Sequence, residues 1–183
     1  MAGEVKTQQN QDLTMVVHFK DDIPWTPTTQ LRQIDLADEA DVAFMYETRR
    51  HPKVAQWLLG NPPASMDAHR QWLKSKVPAS RLIYLLIHEG QRAGYCQVYD
   101  FTKETVEVGF AVHPRFHSMG LGTEMANLLL PEIGKFRAGR KVILYVRPDN
   151  IPAVRLYEKV GFVKISTKTD ENGVTLALYE KAD

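Results

Sequence analysis

The sequence predicts an α/β (α+β) fold, a three-layer sandwich in which helices flank a mixed central sheet of about six to seven strands. Two observations predict this class. In the middle of the chain, apolar segments typical of strands follow one another with only a short turn between them. Later strand-like segments are separated by stretches whose apolar residues recur every three or four positions, as in amphipathic helices. Direct turns favour antiparallel pairing and helical connections permit parallel pairing, so the sheet should contain both.

Composition indicates one domain with its own hydrophobic core. The chain has 183 residues, of which 44% are apolar and 25% charged, enough for a core that needs neither disulfides nor metal. We expect residues 1–13, which are polar, to form a disordered tail. Residues 14–183 are then expected to form a single domain.

The charge and cysteine content exclude several classes of protein. The formal net charge is +1 and Lys and Arg form no long run, so the sequence does not indicate a nucleic-acid partner. Cys96 is the only cysteine, which excludes an internal disulfide. No segment has the length of a membrane span or the pattern of a secretory leader. We therefore expect a cytoplasmic protein with no membrane partner.

The N-terminal third is predicted to contain short strands and helices. Residues 15–19 and 31–34 are typical of strands, and Asp35 or Asp38 can cap the helix that follows, through Tyr46. A further short helix should carry Val54, Trp57 and Leu58 after His51-Pro52. Ser65 is a plausible N-cap for a helix over residues 66–77.

The middle of the chain is predicted to form a β-hairpin. Residues 82–87 are continuously apolar, Glu89-Gly90-Gln91 is a turn sequence, and residues 93–99 return as a second strand. Apolar runs of this kind are typical of central strands that are covered on both faces.

The C-terminal half alternates strands and helices. Strands are predicted at 105–112 and 141–146, with a helix beginning near Met125 between them and a helix through Tyr157 after them. A terminal pair of strands, 163–167 and 174–179, should be joined by a turn at 171–173. Residues 174–179 are expected to form an edge that could pair with a second chain in a homodimer. Pro131 should kink the preceding helix or split it after Leu130.

A glycine-rich turn separates the strand at 105–112 from the next helix. It has the sequence His117-Ser118-Met119-Gly120-Leu121-Gly122-Thr123. Backbone N–H groups at the start of a helix can face a phosphate, and glycine allows the close approach that a side chain would block. The turn is therefore a candidate phosphate-binding site.

Together with the downstream segment Asn150-Ile151-Pro152-Ala153-Val154-Arg155-Leu156-Tyr157-Glu158-Lys159-Val160-Gly161-Phe162, this turn resembles the GNAT family of acetyl-CoA-dependent N-acetyltransferases. In that family the turn reads (Gln or Arg)-x-x-Gly-x-(Gly or Ala) and binds the coenzyme's pyrophosphate. Here His117 occupies the Gln or Arg position, which removes a permanent charge but not the backbone donors.

The resemblance implies where the coenzyme binds. The strands at 106–112 and 142–146 should splay apart and hold the pantetheine arm between them. A freed backbone amide would then polarise the thioester carbonyl. The residues implied in coenzyme binding are Phe110, Val112, His117, Ser118, Met119, Gly120, Leu121, Gly122, Thr123, Asn150, Ala153 and Tyr157.

The resemblance also implies catalytic roles. Tyr157 matches the tyrosine that delivers a proton to the departing thiolate, and a phenol is a suitable acid for this step. Glu107 lies in Glu107-Val108-Gly109-Phe110, which resembles the Glu-Ile-Gly-Tyr segment of several subfamilies, and is a candidate general base. An equally weighted interpretation makes Glu107 a solvated or salt-bridged strand residue. His113 and His117 are four residues apart, but Pro114 and the glycine-rich turn lie between strand and helix there, so this spacing is incidental and no metal is expected.

A narrower resemblance concerns the acceptor. Arg49-Arg50-His51-Pro52-Lys53-Val54-Ala55-Gln56-Trp57-Leu58 is similar to the Arg-Asn-His-Pro-x-x-x-x-Trp-Met stretch of PseH-type acetyltransferases, which act on the 4-amino group of a UDP-linked dideoxy sugar. It implies acceptor contacts by Arg49, His51, Trp57 and His69, although the same residues also suit packing and solvent roles. The alternatives are acetylation of a protein N-terminus, a polyamine or an aminoglycoside. A non-catalytic domain that senses acyl-CoA is a further alternative.

Overall fold

The computed structural model describes residues 28–99, 102, 104–136, 139–169 and 173–182, without the side chains of residues 135 and 136. The tail predicted at 1–13, the strand predicted at 15–19 and most of the turn predicted at 171–173 lie outside these residues.

The described residues form a sheet of seven strands in the order β1-β2-β3-β4-β5-β7-β6. Among the described strands, only β4 and β5 are parallel neighbours, and every other neighbouring pair is antiparallel. The predicted mixed sheet is therefore confirmed. The strands are β1 (Thr29–Gln33), β2 (Arg81–His88), β3 (Gln91–Tyr99), β4 (Thr105–Val112), β5 (Lys141–Val146), β6 (Phe162–Thr169) and β7 (Thr175–Lys181).

Helices cover the sheet in two layers, each with its own cluster of buried side chains. On one face, Met45 and Leu73 pack against Ile83 and Tyr95 of the central strands. On the other, Met125 and its helical neighbours pack against the strands from β2 to β7. The helices are α1 (Glu39–Arg50), α2 (Pro52–Ala55), α3 (Met66–Lys76), α4 (Leu121–Phe136) and α5 (Ile151–Lys159).

The predicted caps are confirmed in the N-terminal helices. Asp38 caps α1 by accepting a hydrogen bond from the Ala40 amide at 2.9 Å. Ser65 caps α3 by accepting one from the Ala68 amide at 3.1 Å. Helix α2 is shorter than predicted, because it ends at Ala55 and leaves Trp57 in the following turn.

Pro131 was predicted to kink α4 or to split it after Leu130, and the split was wrong. The helix is continuous from Leu121 to Phe136 with the proline inside it. Proline removes the donor that would bond the carbonyl four residues earlier, at Asn127. Both residues are exposed, so water can replace that hydrogen bond.

The predicted edge strand was also wrong. Strand β7 lies between β5 and β6, and β6 is the outer strand of the described sheet. Seven of the eight residues of β6 are exposed, including Val163 and Ile165 at 55% each. The edge that a second chain would meet is therefore β6.

A buried carboxylate joins α1 to two strands. Asp41 is fully buried, and its oxygens accept hydrogen bonds from Arg32 of β1 at 2.7 and 2.8 Å and from Arg92 of β3 at 2.7 Å. The Asp35 amide donates a further bond at 2.9 Å. Burial by itself would raise the pKa of Asp41, but these hydrogen bonds outweigh it and lower the pKa to about 2.

Candidate functional site

Strands β4 and β5 part after a short parallel contact, as predicted. Residues 105–107 pair with residues 141–143, and no pairing between the two strands extends further along these described segments. A cavity of about 690 Å³ opens between the parted strands and continues to the starts of α4 and α5. It is large enough for an extended small molecule.

The glycine-rich turn forms one end of the cavity. The Gly120 carbonyl accepts hydrogen bonds from the Thr123 and Glu124 amides at 3.0 and 3.2 Å, so α4 begins at this glycine. Gly120 has a φ of 77°, in the left-handed region that glycine adopts without strain. The backbone amides directly after Gly120 have no carbonyl partner within the helix, so they can donate hydrogen bonds to an anion.

His117 closes the turn back onto β4. Its ring Nε2 donates a hydrogen bond to the Val112 carbonyl at 2.9 Å. The imidazole is thus used to shape the turn, and it borders the cavity. Gly122 lets α5 approach, because a Cβ there would lie 2.5 Å from Cδ1 of Leu156.

Most residues predicted to bind the coenzyme border this cavity. Met119 is the exception, since it does not border the cavity and its side chain is 54% exposed. The predicted residues that do border it are Phe110, Val112, His117, Ser118, Gly120, Leu121, Gly122, Thr123, Asn150, Ala153 and Tyr157.

Tyr157 projects from α5 into the cavity wall. Its ring lies 6.0 Å from that of Phe110 and 6.1 Å from that of Phe162, and only 7% of the residue is exposed. Burial raises the pKa of Tyr157 to about 12. The phenol therefore keeps its proton at neutral pH and can act as an acid. Asn150 begins α5 by accepting a hydrogen bond from the Ala153 amide at 3.4 Å.

The other end of the cavity is lined by aromatic and amide side chains. Tyr95, Gln97 and Tyr99 come from β3, and Tyr145 comes from β5. Glu107 is 8% exposed and does not itself border the cavity. The hydroxyl of Tyr99 donates a hydrogen bond to Oε1 of Glu107 at 2.6 Å.

Of the residues predicted to contact the acceptor, only Trp57 borders the cavity. Its ring lies 5.2 Å from the guanidinium of Arg147, which also donates to the Gln56 carbonyl at 3.4 Å. His51 instead caps α2, where its Nδ1 accepts a hydrogen bond from the Lys53 amide at 3.2 Å.

Arg49 and His69 lie in a layer behind the cavity wall. Arg49 sits 5.1 Å from the centre of the Trp72 ring and donates to the Tyr95 hydroxyl at 3.5 Å. His69 is 1% exposed and stacks on Trp72. Burial, together with the positive charge of Arg49, lowers the pKa of His69 to about 4, so it is neutral at physiological pH.

The charges around the cavity are positive. Lys53, Arg155 and Lys159 border it, and no carboxylate does so among the residues that the structure describes. Behind Tyr99, the guanidinium of Arg81 lies 3.9 Å from the ring centre and donates to Gln97 at 2.6 Å. Such a cavity suits an anionic or neutral occupant better than a polycation.

Two further observations concern other kinds of site. Burial raises the pKa of the Cys96 thiol, so it is not a ready nucleophile. Within the described ranges, no cluster of three or more His, Cys, Asp or Glu side chains could hold a metal, and no helix is long and apolar enough to cross a membrane.

Several contacts escaped the sequence analysis. Tyr99 faces Glu107 because the two residues are directly opposite in the register of β3 and β4. Even pairing of the predicted strands across residues 100–104 would instead place Tyr99 opposite Thr105, so the predicted bounds do not indicate this contact. The contact between Trp57 and Arg147 joins residues far apart in sequence, and no local pattern signals it.

Comparison with known proteins identifies the family. Residues 29–163 match the model of the acetyltransferase (GNAT) domain. The chain is 25% identical over 161 residues to an aminoglycoside N(6′)-acetyltransferase type 1 from Klebsiella pneumoniae, covering 79% of this chain and 80% of that protein. It is 26% identical over 103 residues to a spermine/spermidine N(1)-acetyltransferase from Bacillus subtilis, covering 52% and 67%.

A solved structure agrees in fold. The structure of AAC(6′)-Ib in complex with ribostamycin and coenzyme A superposes with a TM-score of 0.71 at 22% identity, covering 84% of this chain and 93% of that one. Neither this structure nor the two relatives above is a PseH-type enzyme, so the narrower resemblance is not shown.

Proposed function

The chain belongs to the acetyltransferase (GNAT) domain family and is an acetyl-CoA-dependent N-acetyltransferase, and we propose that it transfers the acetyl group directly to a primary amine in the cavity between β4 and β5. Direct transfer means that the amine attacks the thioester while both substrates are bound. The burial of Cys96 supports this route, because its thiol is held in the protonated form and does not border the cavity.

The parted strands and the turn support a position for acetyl-CoA. Its pyrophosphate fits the amides at the start of α4, and its pantetheine arm fits between β4 and β5, where the strands no longer pair. Arg155 and Lys159 add positive charge along the same cavity. The thioester would then lie toward the end lined by Tyr99 and Tyr145.

Tyr157 is proposed as the acid that protonates the departing thiolate. It borders the cavity and keeps its proton at neutral pH because burial raises its pKa. A phenol held beside the sulfur can give its proton as the C–S bond breaks. Glu107 is proposed as the base that removes a proton from the incoming ammonium.

For the acceptor, we propose a neutral or anionic molecule that carries a primary amine, with a UDP-linked 4-amino-dideoxy sugar as the model compound. One observation carries this proposal: the described cavity lining contains Lys53 and aromatic side chains but no carboxylate. A carbohydrate or uracil ring can stack on Trp57, and a diphosphate is compatible with Lys53, whereas Arg147 is already paired with Asp149 at 2.6 Å.

The second candidate is a cationic acceptor, an aminoglycoside or a polyamine. The names of the relatives favour it, since one acts on aminoglycosides and another on spermine and spermidine. Such acceptors carry several positive charges, which acidic side chains would stabilise. The two candidates therefore differ in the sign of charge that the acceptor presents.

A panel assay tests both candidates. Acetyl-CoA-dependent thiol release is measured with a UDP-linked 4-amino sugar, kanamycin, spermidine and a peptide with a free N-terminus. We expect the nucleotide sugar to give the highest kcat/KM. Higher kcat/KM with kanamycin or spermidine would overturn the proposed acceptor class but not the transferase activity.

A further inference from the structure

The proposed base, Glu107, is separated from the cavity by the side chain of Tyr99. Glu107 is 8% exposed and is absent from the cavity wall, whereas Tyr99 forms part of that wall. The Tyr99 hydroxyl donates to Oε1 of Glu107 at 2.6 Å, a short bond to a carboxylate. A proton that leaves an amine in the cavity therefore meets the Tyr99 oxygen before it can reach Glu107.

This pair sits where β4 and β5 begin to part. Glu107 and Ile143 are the last partners in the parallel register, and Tyr99 is directly opposite Glu107 on β3. The glycine-rich turn lies at the far end of β4. A coenzyme bound there by its phosphates would point its thioester toward Tyr99, which places the reacting amine beside the phenol.

We propose that Tyr99 and Glu107 form a proton relay, in which Tyr99 is the catalytic residue that contacts the acceptor amine and Glu107 is the final proton acceptor. This inference rests on the direct transfer proposed above. In the relay, an ammonium N–H bond breaks as its proton passes to the Tyr99 oxygen. The phenolic proton passes at the same time to the Glu107 carboxylate. A neutral amine, a neutral tyrosine and a protonated Glu107 result.

The remaining proton transfers balance the reaction. The neutral amine attacks the thioester carbon, and a C–N bond forms as the C–S bond breaks. Tyr157 gives its proton to the thiolate and regains one from the positively charged nitrogen of the new amide. Glu107 releases its proton to solvent before the next turnover. One proton is thus released for each ammonium that is acetylated.

Arg81 is the positioning residue of this relay. Its guanidinium lies 3.9 Å from the centre of the Tyr99 ring, and its Nη1 donates to Oε1 of Gln97 at 2.6 Å. Gln97 precedes Tyr99 by two residues on β3, so both side chains are on the same face of the sheet. Stacking of Arg81 on the ring restricts the directions in which the hydroxyl can point.

The relay predicts that substitutions of Tyr99 or Glu107 lower kcat by a factor that depends on pH. Tyr99→Phe and Glu107→Gln should each lower kcat by about 100-fold at pH 7, where the acceptor is an ammonium. The deficit should shrink as the pH rises toward the pKa of the amine, because a neutral amine needs no base. The double variant should be no slower than the slower single variant, since both changes interrupt one path.

Tyr179→Phe is the matched control. The Tyr179 hydroxyl also donates to a glutamate, Glu158, at 3.4 Å, but it lies away from the cavity. Its kcat should stay within about threefold of the wild type at every pH. Circular dichroism and thermal unfolding of all the variants show whether the fold is intact.

The assay uses every acceptor of the panel above that the wild type acetylates. A deficit that is constant with pH, or a fully active Tyr99→Phe beside an inactive Glu107→Gln, would overturn the relay while leaving the transferase activity in place. A wild-type protein that releases no thiol with any acceptor would overturn the proposed direct transfer and the relay with it.

Discussion

Tyr157 is the residue on which the proposed chemistry most directly depends. Its burial raises its pKa to about 12, so the acid is fully protonated across the neutral range. We expect Tyr157→Phe to fold normally, since the ring contacts with Phe110 and Phe162 are retained. Its kcat should fall by about 100-fold with little change in the KM for acetyl-CoA. Steady-state kinetics from pH 6 to 9 measure this.

The factor by which Tyr157→Phe lowers kcat should be the same from pH 6 to 9, because the pKa of the Tyr157 phenol lies well above that range. Rates within a few-fold of wild type would remove Tyr157 from the mechanism. Addition of the product CoA serves as a control, since it should inhibit the variant and the wild type equally if binding is unchanged.

Single residues were predictable from sequence where a local motif carried them. Tyr157 and the turn residues follow from short patterns with fixed spacing, and all of them except Met119 border the cavity. The contact of Tyr99 with Glu107 was not predicted, because it arises from pairing across two strands. The position of Arg49 and His69 behind the wall depends on how α1 and α3 pack, which spacing alone does not reveal.

At the scale of elements, the approach of β3 to β4 depends on Gly94. A Cβ at this position would lie 2.6 Å from the Ala111 carbonyl oxygen, which belongs to the backbone and cannot rotate away. We expect Gly94→Ala to destabilise the fold by about 1–3 kcal/mol and to raise the KM for acetyl-CoA, because β4 must shift. Urea unfolding and steady-state kinetics measure the two effects.

Gly134→Ala is the matched control for that change. Gly134 lies inside α4, and a Cβ there would meet nothing within 4 Å. Alanine should stabilise the helix by about 0.5–1 kcal/mol without changing kinetics. Equal stability of the Gly94→Ala variant and the wild type would contradict the close packing of β3 against β4.

The Asp41 network predicts how α1 responds to pH. The folded-state pKa of about 2 lies below the value of about 3.9 in an unfolded chain. The stabilisation is therefore fully present above about pH 4 and is lost as the pH falls through about 2. Asp41→Asn should lower the free energy of unfolding at pH 7 by about 3 kcal/mol.

The difference in the free energy of unfolding between Asp41→Asn and the wild type should become smaller as the pH falls from 4 to 2. Urea unfolding measures this difference. Asp67→Asn is a control, because Asp67 is 87% exposed and pairs only on the surface with Arg70. A stability difference that is unchanged down to pH 2 would contradict the ionised, hydrogen-bonded state of Asp41.

Elements were predicted well where a local pattern bounds them and poorly where solvent exposure or long-range pairing decides the outcome. The bounds of β4 and β5 match the predicted segments. The sequence left open whether α4 kinks or breaks at Pro131; the helix continues, because the exposure of Asn127 lets solvent compensate the missing hydrogen bond. The order of β6 and β7 depends on a long-range pairing between β7 and β5, which the sequence of the hairpin does not specify.

For the whole molecule, the sign of the charge around the cavity is the property that should select the acceptor. Trp57 borders the cavity beneath Arg147. We expect Trp57→Ala to raise the KM for the acceptor by about tenfold, because the acceptor loses a stacking contact. The KM for acetyl-CoA should change less than threefold. Similar increases for both substrates would indicate a structural role for Trp57 instead.

The fold class and the mixed sheet of about six to seven strands followed from sequence because each rests on patterns within one or two elements, whereas the parted strands were implied by the resemblance to the GNAT family. The class of acceptor did not follow from sequence, because side chains from α2, β3, β5 and the loop after β5 together form the end of the cavity opposite the glycine-rich turn. Their combination is a property of the folded chain.

Direct acetyl transfer requires that enzyme, acetyl-CoA and amine meet in one complex. Initial rates of thiol release, measured while both substrates are varied, test it most directly. We predict intersecting lines in double-reciprocal plots and no release of CoA without the amine. Parallel lines, or an acetylated protein that forms before the amine is added, would contradict direct transfer and indicate a covalent acetyl-enzyme.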